Sequence, residues 1–85
     1  MANTGSDIEL NSNLRVLFSC DGRFVTFRFV VGAEEPGDPQ RLSRAEAVKI
    51  GKQVAETGIY DSISASPHVV KSFGRHLWRY GEEGK

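Results

Sequence analysis

Hydrophobic residues in this chain follow two rhythms. Between residues 14 and 31 they alternate with polar ones, and from residue 44 onward they recur every three or four positions. The first is the period of a strand with two unlike faces, and the second that of a helix with one apolar stripe. The alternating stretch is interrupted at its middle by Asp21-Gly22. That dipeptide suits a two-residue type I′ loop, whose central positions both need positive φ. Counting outward from it pairs Cys20 with Arg23, Phe18 with Val25, Val16 with Phe27 and Leu14 with Phe29, all on one sheet face. The opposite face then carries Ser19 with Phe24, Leu17 with Thr26 and Arg15 with Arg28, followed by Val30. Two arginines set directly opposite repel unless something anionic or aromatic lies between them.

Ser43-Arg44-Ala45-Glu46 fits a capping box, in which Ser and Glu satisfy each other's orphan backbone donors. It opens a helix over 44–57. Ala47, Val48, Ile50, Gly51, Val54 and Ala55 fall on one side, with Glu46, Lys49, Lys52, Gln53 and Glu56 on the other. Gly58 supplies the stop. Ser66-Pro67 starts a second helix over 67–80, with Ser as N-cap and Pro at the first helical position. Val69, Val70, Phe73, Leu77 and Tyr80 line its apolar face, Lys71, Ser72, Arg75 and Arg79 the opposite one, and Trp78 the border. Gly74, inside this helix, costs roughly 1 kcal/mol relative to Ala, which predicts a close helix–sheet approach there. Gly81 ends the helix.

The fold class is therefore α+β. It is a ββαα arrangement, with a small antiparallel sheet from the hairpin over 14–31 and two amphipathic helices on one of its faces. A two-stranded sheet is marginal by itself. A third strand is expected from 8–10, from 59–64 or from a second protomer. Residues 1–7, small and polar, read as a flexible arm, 8–81 as a single domain and 82–85 as a polar tail. Gly32 to Gln40, with Pro36, Pro39 and the acids Glu34, Glu35 and Asp38, reads as a loop.

Composition narrows the setting. Hydrophobic residues make up 39% of the 85 and charged ones 26%, which is globular usage. No apolar run exceeds three residues, against the ~20 of a helical membrane span. The N-terminus has neither the basic start nor the apolar stretch of a secretory signal. One cysteine makes no internal disulfide, so a reducing, cytoplasmic location is expected. Net charge is zero, which argues against a protein that coats nucleic acid by neutralising phosphates. Yet residues 67–80 hold Lys71, Arg75 and Arg79 and no acid.

Chemistry is sparse. A Cys nucleophile needs an oriented base within reach, and nothing in the sequence brings His68 or His76 to Cys20. Those histidines are eight residues apart, two helical turns, which is too far to chelate one ion together, and cysteine pairs are absent. Gly51-Lys52 lies mid-helix, followed by Gln53, and is not a phosphate loop. The reading is a non-enzymatic module with no cofactor and no metal. A helix-turn-helix is disfavoured by the spacing between the helices and by Pro67.

Binding remains. Trp, Tyr and Arg are enriched at interface hot spots, and Trp78, Arg75, Arg79 and Tyr80 cluster near the end of the second helix, beside Lys71. Leu17 and Phe24, with Arg15 and Arg28, extend the candidate surface on the second sheet face. The expected partner is a protein, and Leu17, Phe24, Val30 and Trp78 also allow a homo-oligomer. The rival reading is nucleic acid held by basic residues interleaved with an aromatic. The bland reading is a solvated helix face, with Arg79 favoured by the helix dipole. Small size and missing motifs suit an accessory or inhibitor protein of a phage or mobile element.

Overall fold

A computed structural model describes residues 4–83. Four strands, β1 (Thr4–Glu9), β2 (Leu14–Cys20), β3 (Phe24–Val31) and β4 (Gln40–Ser43), precede two helices, α1 (Arg44–Thr57) and α2 (Pro67–Glu83). The strands form one antiparallel sheet in the order β1-β2-β3-β4. The α+β class holds, with both helices on one face of the sheet and four strands in place of the expected two or three.

The hairpin closes one residue later than Asp21-Gly22 implies. Cys20 pairs with Val25, Phe18 with Phe27, Val16 with Phe29 and Leu14 with Val31. The two loop residues are Gly22 and Arg23. Only Gly22 has positive φ, at 95°, the glycine-first pattern of a type II′ connection rather than I′. Asp21 flanks the loop, and its carboxylate accepts from the amides of Arg23 (3.1 Å) and Phe24 (2.9 Å). Those donors hold its pKa below the ordinary carboxylate value. Moving the loop by one residue moves the register by two, so every side chain keeps its expected face. The pairings change all the same. Arg15 sits opposite Val30 and Arg28 opposite Leu17, so the two arginines are not directly opposed.

Both outer strands lie outside the expected hairpin. Residues 4–9 pair along β2 from Thr4↔Cys20 to Glu9↔Arg15, so the third strand comes from the expected 8–10 region and takes in residues 4–7 of the expected loose arm. Residues 1–3 of that arm lie outside the described residues. The expected loop over 32–40 gives way at its end to β4, where Leu42 pairs with Val25 and Gln40 with Phe27. Residues 59–64 form no strand.

The capping box is complete. The Ser43 hydroxyl accepts from the Glu46 amide (3.2 Å), and the Glu46 carboxylate accepts from the Ser43 amide (3.3 Å). Gly58, at φ 71°, closes α1 by donating its amide to the Val54 carbonyl (2.9 Å). Helix α2 continues through Gly81 to Glu83, so Glu82 and Glu83 are helical rather than tail. Residues 84–85 of that tail lie outside the described residues.

One core joins sheet and helices. Val16, Phe18, Cys20, Val25 and Phe27 meet Ala47, Val54, Val70, Phe73, Leu77 and Tyr80. Phe18 stacks on Tyr80 at 4.7 Å between ring centroids, and Phe73 lies within 5.3 Å of Phe27, Phe29 and Tyr60. Offset and tilted rings at such distances add to the burial of their area. Gly74 answers to α1 rather than to the sheet. A Cβ there would come 2.8 Å from the Val54 carbonyl carbon and 2.9 Å from the Gly51 oxygen. A Cβ on Gly51 would meet the Trp78 Cα at 2.7 Å, and one on Gly81 the Arg44 carbonyl at 2.8 Å. The two helices touch backbone to backbone, and these glycines permit it.

Candidate functional site

Helix pairing creates a ridge on the outer side of the helix layer. The antiparallel packing of α1 on α2 lays the Trp78 backbone against Gly51 and leaves the indole half-buried between the helices. Lys52, one residue on from Gly51, reaches over the ring with its ammonium 5.1 Å from the centroid, a cation–π distance. The indole Nε1 is buried without a hydrogen-bond partner. Arg75 and Arg79, one turn apart, are exposed next to Trp78, and Lys71 stands half-buried one turn before Arg75. Arg75, Trp78, Arg79, Glu82 and Glu83 line a shallow depression of about 240 Å³. Among the described residues one ion pair exists, Arg15 with Asp7 at 2.6 Å. Among the described residues, the cations of the ridge therefore have no carboxylate within salt-bridge reach.

Tyr80 does not belong to this ridge. Its side chain points to the sheet and stacks on Phe18, with 9% of the residue exposed. It shares a helix end with Trp78 but sits on the opposite flank, because two residues turn an α-helix by about 200°.

The sheet face away from the helices is the second candidate surface. Leu17 and Phe24 are half-buried there, whereas Val30 is fully buried and offers nothing to a partner. The arginines of this face are held by the chain itself. Arg15 pairs with Asp7 from the neighbouring strand. Arg28 donates to the Gly37 carbonyl at 3.0 Å. Arg41, from β4, lies 4.5 Å over the Phe24 ring. Internal contacts thus answer the cations here and cover part of Phe24.

Arg44 and Lys52 play parts that sequence patterns do not mark. Arg44 donates to the carbonyls of Gly81 (3.1 Å) and Glu82 (2.9 Å), which are end carbonyls of α2 that favour a cation. Its backbone amide donates to the Arg23 carbonyl at 3.3 Å, so one residue joins the hairpin turn to both helices. Lys52 was legible as an exposed helix position, but its place over Trp78 exists only once the helices pair.

Cys20 is 4% exposed within the core. His76 lies half-buried with Nδ1 2.8 Å from its own helix's Ser72 carbonyl. Among the described residues no three His, Cys, Asp or Glu side chains gather as metal ligands, and no helix is long and apolar enough to cross a membrane. No protein-family model, curated protein or solved structure matches the chain.

Proposed function

We propose that this domain is a non-enzymatic binding module that engages a protein partner through the ridge of Trp78, Arg75 and Arg79. One observation carries the reading. The Trp78 indole is half-buried beneath the Lys52 ammonium, and it is flanked by exposed arginines that have no carboxylate partner among the described residues. Rigid aromatics beside arginines are the side chains on which interface energy concentrates. The surface needs little reordering on binding, since Trp78 is already seated, and affinity rises as ordering costs fall. Leu17 and Phe24 on the open sheet face form a weaker secondary patch, because Arg41 already covers part of it. A role as an accessory or inhibitor protein of a phage or mobile element, acting in the cytoplasm, belongs to the same reading.

The structure also adds Lys52 to the cations around Trp78, which favours single-stranded nucleic acid as the second reading. One experiment separates the two. Immobilised protein is challenged with host extract and, separately, with a fluorescent oligonucleotide at 50–200 mM salt. Capture of one protein at a fixed stoichiometry, abolished by Arg75→Glu/Arg79→Glu in a folded variant, supports the protein partner. Oligonucleotide binding that falls steeply with salt, without such capture, moves the assignment to nucleic acid.

A further inference from the structure

The two large hydrophobic residues most exposed among those described are Ile59, at 71%, and Val31, at 45%. Both lie at the end of the molecule away from the Gly22-Arg23 turn. Val31 is at the far end of β3, and Ile59 follows the far end of α1. Each borders a groove. Ile59 lines one of about 600 Å³ with Ile50, Val54, Tyr60 and Asp61. Val31 lines one of about 300 Å³ with Leu14, Ile63 and Ala65. Ser62 lines both, so the two grooves adjoin there and together make a crease bordered by residues 59–65.

The charge at this crease has one sign. Asp61 lines it, and no lysine, arginine or histidine does. The turn after Val31, closed by the Glu34 amide donating to the Val31 carbonyl at 3.0 Å, carries Glu34 and Glu35, both exposed. No cation lies within salt-bridge reach of these acids among the described residues. Along 60–65, the Ile63 amide alone donates to a backbone carbonyl among the described residues, that of Tyr60.

We propose that this crease docks a segment of a partner protein that is apolar at its centre and flanked by lysine or arginine. The aliphatic floor supplies burial, and the acidic rim selects the charge of the flanks and steers their approach. The surface is separate from the Trp78 ridge, so the two proposals stand or fall independently.

Amide NMR of the full chain, titrated with a synthetic peptide of four aliphatic residues between lysine pairs, tests this. Saturable shifts confined to 59–65 and 31–35 are expected. Affinity should fall about tenfold for Ile59→Ser, for Asp61→Lys and for a peptide with glutamates in place of lysines. Both substituted side chains are exposed, and the spectrum itself reports that each variant folds. Absence of shifts, equal binding of the glutamate-flanked peptide, or shifts centred on Arg75 and Trp78 would overturn the proposal. So would movement of the same amides with protein concentration alone, which would identify a second copy as the occupant.

Discussion

Toward the sheet, α2 presents Phe73, Leu77 and Tyr80, whose rings and branches fill the space against Phe18, Phe27 and Phe29. Toward α1 it presents Gly74 and Gly81, and there the fit comes from having no side chain. One helix thus carries a seam built from volume and a seam built from its absence, a few residues apart. Their tolerance of change should differ in sign. The first seam fails when atoms are removed and the second when they are added, because interiors are packed at crystal-like density in both cases.

The largest effect belongs to the volume seam. Phe73 is fully buried at the meeting point of four aromatic rings, and Phe73→Ala should destabilise folding by about 3–5 kcal/mol. Urea denaturation measures it, and a loss below ~1 kcal/mol would show that these rings are not the core's fixed centre.

Next comes Gly74→Ala. In an ordinary helix interior this change stabilises by up to about 1 kcal/mol. Here the added methyl meets the backbone of α1 at Val54, Ala55 and Gly51, and backbone gives way less readily than a side-chain tip. A net loss of about 1–3 kcal/mol is expected. An unchanged or raised thermal midpoint would mean that the helices stand further apart than described.

The smallest effect lies outside both seams, at the hairpin turn. Amides of Phe24 and Arg23 lower the Asp21 pKa. A carboxylate with a depressed native pKa contributes stability above its unfolded value of about 3.9, and that contribution is lost as pH falls through the native value. An NMR titration should find Asp21 below the ordinary value in the folded protein and find the turn amides moving with it. Asp21→Asn should weaken the acid dependence and leave both helix seams intact. Titration of Asp21 at its ordinary value would break the account of how the turn is held.

Particular residues show what could be read in advance. Capping at Ser43 and Glu46 and the stop at Gly58 were legible, because those signals act within a few residues of chain and need no tertiary partner. Strand β1 was legible only at its end, as the candidate third strand over 8–10, and β4 was not legible at all. Thr4–Glu9 is short of large apolar residues and Gln40–Ser43 follows Pro39, so each is a strand by virtue of the neighbour it pairs with. In the candidate site, Trp78, Arg75 and Arg79 were visible as residue types on one helix end. Tyr80 lies on the apolar face that its helical spacing predicts, so its nearness to Trp78 along the helix end does not bring it to the binding surface. Lys52 and Arg41 went unmarked because their aromatic partners lie on other elements. Ile59 and Val31 were likewise invisible as a pair, since nothing local joins residues 28 positions apart.

The amino-acid order alone settled the class, the two helices and which face of the central hairpin is buried. Face assignment survived a misplaced loop because side chains alternate with a period of two, and the error in register was also two. Tertiary packing decided the strand count, the helix-to-helix contact at Gly51 and Gly74, and which charged groups stand beside Trp78. Those outcomes depend on distances between segments remote in the chain, and such distances are fixed only when volume, backbone hydrogen bonds and charge are satisfied together.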